Sequence, residues 1–96
     1  MTVLTVSGAL FVRERIAIEP DAVATVKVVD HEGEVLAATA VTASEVPVEF
    51  SVAIDPEMVD GDLFVWAFLR NGDAGWGTLE LVPADEPEIE LNRIGA

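Results

Sequence analysis

Val46-Pro47-Val48-Glu49-Phe50-Ser51-Val52-Ala53-Ile54 is the stretch on which the fold class turns. Its apolar residues Val46, Val48, Phe50, Val52 and Ile54 occupy every second position, against Pro47, Glu49, Ser51 and Ala53. A strand sends successive side chains to opposite sides, so this order makes one dry face and one wet face. A helix would scatter the same five residues around its circumference. Pro47 has no N–H to give a ladder, which puts its end of the strand at a sheet edge.

The same period of two extends in both directions. Upstream, residues 3–18 read as one long strand, with Leu4, Val6, Leu10 and Val12 on one face and a bend or bulge expected at Ser7-Gly8. Glu19-Pro20-Asp21 breaks it, because proline fixes φ and offers no donor. A second strand follows over residues 22–30, where Ala24, Val26 and Val28 oppose Thr25 and Lys27. Asp30-His31-Glu32-Gly33 predicts a hairpin loop with Gly33 at positive φ, leading to a third strand over residues 34–41.

Downstream of Ile54, Asp55-Pro56-Glu57 predicts a single capped helical turn near residues 56–60. Residues 63–70 are apolar on both faces until Arg70, so that strand is either central and covered on both sides or part of a partner interface. Asn71-Gly72 signals a hairpin, residues 76–82 a further strand, and residues 88–94 a last one. The expectation is an all-β, two-sheet antiparallel β-sandwich, Ig-like or transthyretin-like, of about seven strands, with residues 1–96 forming a single domain.

Composition narrows the function classes. The chain has no cysteine, which removes disulfides, thiolate metal sites and cysteine nucleophiles. Five Lys+Arg stand against 18 Asp+Glu, a formal net charge of −13. Such a surface repels nucleic acid and anionic membranes. It favours solubility, a salt-rich setting or a basic partner. No apolar run approaches the ~18 residues of a membrane helix, so direct membrane insertion is not expected. Met1-Thr2-Val3-Leu4-Thr5-Val6 has no basic n-region or cleavage site. The expected place is the cytoplasm for the chain as written, and the periplasm or cell envelope if a targeting segment has been removed.

The candidate sites each have a bland reading beside a functional one. Arg13 and Arg15 flank Glu14 on one face of the first strand and either bind a partner carboxylate or pair with acids on a neighbouring strand. Asp55, Glu57, Asp60 and Asp62 could offer oxygens to calcium, but the capped turn accounts for the first two and the spacing is not an EF-hand. His31 falls at a hairpin tip with no catalytic companion. Glu88 and Glu90 share a face and read as edge protection before paired carboxylates. Phe64, Trp66 and Phe68 share a face, with Trp76 on the next strand; they either fill the core between the sheets or form a platform for a sugar or an apolar partner. No phosphate loop, metalloprotease motif or nucleophile elbow occurs. No cofactor and no metal are expected.

The order Val6-Ser7-Gly8, Arg13-Glu14-Arg15-Ile16-Ala17-Ile18, Pro20-Asp21-Ala22-Val23, and then Val46-Pro47-Val48-Glu49-Phe50 with Ile54-Asp55-Pro56, resembles the YbaY/YscW-like family of type III secretion lipoprotein chaperones. The resemblance implies a small β-sandwich with no catalytic residues. It also implies kinship with secreted lipoproteins, some of which act as pilots for outer-membrane secretin rings. The expected function is a non-catalytic binding or assembly module acting through a sheet edge or an apolar sheet face, with a protein partner or a second copy. The alternative is a carbohydrate or small-ligand binder using Trp66 or Trp76.

Overall fold

A computed structural model describes residues 4–59 and 61–94; Val3 and Asp60 lie outside the described residues. Among the described residues nine strands form two sheets: β1 (Leu4–Phe11), β2 (Val23–Val29), β3 (Val35–Thr42), β4 (Val48–Ile54), β5 (Phe64–Asn71), β6 (Ala74–Gly77), β7 (Val82–Pro83), β8 (Glu88–Glu90) and β9 (Asn92–Ile94). The smaller sheet has the order β4-β1-β8. The larger runs β3-β2-β5-β6-β9, with β7 pairing the start of β5. The β1–β8 pair is parallel, the one departure from the antiparallel expectation among these pairs.

The alternation that decides the fold is present. In β4, Val48, Phe50, Val52 and Ile54 are buried while Glu49, Ser51 and Ala53 are exposed. Across the sandwich, Val26, Val28, Val65 and Ala67 are fully buried, and Leu69 nearly so. Leu10, Ile89 and Leu91 close the same core. With no disulfide available, burial of these apolar side chains, about 1.5–3 kcal/mol each for the larger ones, is the main favourable term. β4 is an outer strand, as Pro47 requires, and the Val46–Pro47 peptide is cis.

Four expectations need correction. The first strand ends at Phe11 and not at residue 18. Residues 12–19 continue as an unpaired strap, held by side chains: Asn71 Oδ1 accepts from the Glu19 N–H at 2.7 Å and its Nδ2 donates to the Ala17 carbonyl at 2.8 Å. Val12, Ile16 and Ile18 pack on the core from this strap. Second, there is no bulge at Ser7-Gly8; the β1–β4 register runs through it unbroken. Gly8 instead makes room, since a Cβ there would lie 3.2 Å from the ring of Phe50 and 3.0 Å from the Pro87 carbonyl oxygen.

Third, the strand expected over residues 76–82 is divided into β6 and β7. Thr78 causes the break. Its N–H still donates to the Ala67 carbonyl, but its hydroxyl, not its carbonyl, accepts from the Ala67 N–H. The main chain is thereby released outward, leaving Leu79 exposed. Fourth, the last strand is shared between sheets: β8 pairs β1 and β9 pairs β6. Leu91, buried at the crossing, joins the two layers.

The turn chemistry follows the sequence. Gly33 has φ 85 and Gly72 has φ 61, both in the left-handed region that a side chain disfavours. Asp30 Oδ1 accepts from the N–H groups of Glu32 and Glu34, which closes the β2–β3 loop. Asp55 caps the 3-10 turn Pro56–Met58 by accepting from the Glu57 N–H.

Candidate functional site

The larger sheet has an outer face whose composition sets it apart from the rest of the molecule. Strand pairing places its side chains in rows across the sheet. One row is Ala38, Lys27 and Trp66. The next is Ala40, Thr25, Phe68, Gly77 and Asn92. A third is Thr42, Val23, Arg70, Gly75 and Ile94. None of these positions holds a carboxylate, in a chain with 18. Two of the five basic residues, Lys27 and Arg70, stand here. The outer face of the smaller sheet is more acidic: Glu49, Glu88 and Glu90 project there among Ser, Thr, Ala and Phe11, with no basic residue on the strands.

The middle of the face is aromatic. Trp66 and Phe68 stack with centroids 6.2 Å apart and planes inclined by 12°. Lys27 Nζ sits 5.0 Å from the Trp66 ring centroid, a cation held over a π-face. Both rings remain half-buried, as does Phe64. Two glycines let the aromatic layer lie flat. A Cβ on Gly75 would fall 2.5 Å from Phe68 Cζ, and one on Gly77 would fall 2.6 Å from Ile94 Cδ1. Exposed Ala38, Ala40 and Thr42 make the other flank low. The result is a flat apolar ridge with a cation beside it and small residues around it. Aromatic rings beside a cation are the composition enriched where proteins meet.

The four residues singled out from sequence do not form one site. Trp66 is on the outer face, so the expectation that Phe64, Trp66 and Phe68 fill the core is corrected; Val65, Ala67 and Leu69 do that. Trp76 pairs with Leu69 and shares its inward face, where it is 3% exposed. Its indole Nε1 donates to Glu14 Oε1 at 2.8 Å, and the Arg93 guanidinium lies 5.1 Å from its ring centroid. The two tryptophans therefore lie on opposite faces of the sheet and offer no shared platform. Arg13 and Arg15 belong to the strap and not to a strand. Arg13 forms an ion pair with Glu90, while Arg15 is exposed beside an open depression bounded by Ser44, Glu45 and Val46. Their neighbour Glu14 is the residue with an evident task, anchoring the strap to Trp76.

The remaining candidates are loop features. His31 lies at the hairpin tip, 3.7 Å from a Glu32 carboxylate oxygen. Among the described residues no cluster of His, Asp or Glu has the geometry to hold a metal ion. No helix of the described residues is long and apolar enough to cross a membrane. What sequence reasoning missed was the pairing of Lys27 with Trp66 and the absence of acids from the outward positions. The alternation in residues 23–29 and 64–70 contained that signal, but the neighbours on one face follow only from the register.

Three comparisons bear on this architecture. The family model of the type III secretion system lipoprotein chaperone (YscW) matches residues 1–81. A solved structure of an alternative pilotin from the type II secretion system of Vibrio cholerae superposes with a TM-score of 0.85 at 20% identity, covering 99% of this chain and 100% of that one. At that identity the likeness establishes the shared β-sandwich fold. A comparison with curated proteins gives no match. The family description does not support a cytoplasmic setting for this chain. With its family model matched over residues 1–81, from the first strand through the strap to β6, the chain belongs to the type III secretion system lipoprotein chaperone (YscW) family.

Proposed function

We propose that this chain is a non-catalytic chaperone-type module that holds a protein partner against the outer face of its larger sheet. Residues 1–96 act as one domain in this reading, and the setting is the cell envelope, in keeping with the lipoprotein chaperone family. The partner is a component of a secretion assembly. The observation that carries the reading is the carboxylate-free face of Trp66, Phe68, Lys27 and Arg70 on a chain of net charge −13. An acidic segment meets repulsion over most of this surface and attraction on this face, which orients its approach. The aromatic ridge then supplies the contact that excludes water. A sugar-binding reading would have to use Trp66 alone, and Lys27 already covers that ring.

Charge reversal tests the proposal. The double substitution Lys27→Glu and Arg70→Glu changes two exposed or half-exposed cations without touching the core. The variant should still unfold cooperatively, with its melting temperature lowered by no more than about 8 °C for the lost Lys27–Trp66 contact, and should lose recovery of its secretion-system partner from cross-linked envelope extracts. Unchanged recovery of that partner would remove the outer face from its role.

A further inference from the structure

β3 ends the larger sheet, and no other strand of the described residues pairs with its far side. The direction of its backbone groups follows from one hydrogen bond. The Ala43 N–H donates to the Ala22 carbonyl, which makes Ala22 and Ala43 a bonded pair. By alternation Ala24/Val41, Val26/Thr39 and Val28/Ala37 are bonded pairs too. The N–H and C=O groups of Ala38, Ala40 and Thr42 therefore point away from β2, and all three residues are exposed. Such a row is a template for another strand.

Edges of this kind are ordinarily blunted by charge, proline or a bulge. The other sheet's outer strand follows that rule, with Pro47 at its entrance and Glu49 within it. β3 does not: Val35-Leu36-Ala37-Ala38-Thr39-Ala40-Val41-Thr42 contains no charged residue and no proline. The single shift in its pairing, between Val28 and Val29, lies at its beginning.

We propose that this edge pairs with the same edge of a second copy, antiparallel, with Ala40 on the two-fold axis. In that register Ala38 faces Thr42 of the second copy and Ala40 faces its own equivalent, giving roughly six main-chain hydrogen bonds. The strand suits itself. Its outward side chains are small enough to pass without clash, and no charge within it meets a like charge. Glu34 and Glu45 flank it at either end, so the ends of the paired strands bring carboxylates near one another. Screening those charges strengthens the pair, and the dimer population rises with salt. One strand pair is a small interface, so the association is transient and in rapid exchange. This inference stands apart from the outer-face reading, since it uses the edge and not the ridge.

The chain has no cysteine, so single cysteines report the register cleanly. A bonded antiparallel pair sets Cα atoms about 5.5 Å apart, within disulfide range. Purified Ala40→Cys should form an intermolecular disulfide under mild oxidation at least about tenfold faster than Thr5→Cys on the other sheet, because pairing raises the effective thiol concentration. Ala38→Cys should react slowly alone and quickly when mixed with Thr42→Cys. All four positions are exposed, and none removes a core side chain. The proposal is overturned if Ala40→Cys is no faster than Thr5→Cys, as it would be were the edge reserved for a foreign strand. It is equally overturned if Ala38→Cys reacts as fast alone as with Thr42→Cys, which means another register.

Discussion

Replacing Trp66 by serine separates the two roles an aromatic residue can have in a small β-domain. The side chain is half-buried on the outer face and takes no part in the core between the sheets. Its losses are local. The stack on Phe68 is worth about 0.5–1.5 kcal/mol and the cation contact with Lys27 about 0.5–1 kcal/mol. Together these cost about 1–2.5 kcal/mol, against a total of roughly 5–14 kcal/mol for a domain of this length. The contrast is Leu69→Ala, three residues on and 1% exposed, where the lost contacts and the cavity cost about 2–5 kcal/mol. Urea unfolding monitored by fluorescence suits the comparison, because Trp76 remains as the sole, buried indole. Trp66→Ser should unfold cooperatively with an unchanged slope against denaturant and a modestly lower midpoint. Its association with the secretion partner should fall by at least about 30-fold, the scale of an aromatic hot spot. A loss of stability as large as that of Leu69→Ala would make Trp66 a core residue and refute the assignment. Undiminished association would refute its role in binding.

Other substitutions follow from single contacts. Gly77→Val places a side chain against Ile94, Phe68 and the Ala67 carbonyl, so β9 must shift; a loss of about 1–3 kcal/mol is expected in thermal unfolding. Thr78→Val keeps the shape but strips the acceptor from the buried Ala67 N–H, which should cost about 1–3 kcal/mol and speed hydrogen exchange at Ala67 selectively. Asn71→Ala deprives the strap of both its side-chain bonds at Ala17 and Glu19, and the Glu19 amide should lose protection well before the β2 and β5 amides. Asp55→Ala removes an exposed cap and should lower stability by about 0.5–1 kcal/mol, read from the urea midpoint.

Much of the fold was legible because the local rules agreed. The alternation of residues 48–54, though not the strand start expected at Val46, the Gly33 and Gly72 turns and the Asp55 cap all depend on neighbours in sequence. The misreadings share a different cause. Residues 12–18 look like a continuing strand, but the chain bends at Arg13-Glu14 and the segment is then tied down by Asn71, more than 50 residues away. The division between β8 and β9 reflects which sheet each half meets, and Ile89 and Leu91 read alike from sequence because both are buried. Thr78 ends β6 through one hydroxyl, a substitution of acceptor that composition does not announce.

The candidate site was half visible for the same reason. That Phe64, Trp66 and Phe68 share a face is a period-two statement. Which face it is depends on Val65, Ala67 and Leu69 being the better fit to a close-packed interior. The basic residues told less than their rarity suggested. Arg13 is spent on Glu90. Lys27, one alternation step from the core, turned out to be the cation beside the ridge.

The most direct measurement places a photo-activated cross-linker at Thr25, in the middle of the larger sheet's outer face, and separately at Ser51 on the outer face of the smaller one. One secretion-assembly protein should be captured at Thr25, lost in the Lys27→Glu, Arg70→Glu background, and not captured at Ser51. Capture of the same protein at Ser51 with equal yield, unaffected by the charge reversal, would contradict the outer-face reading.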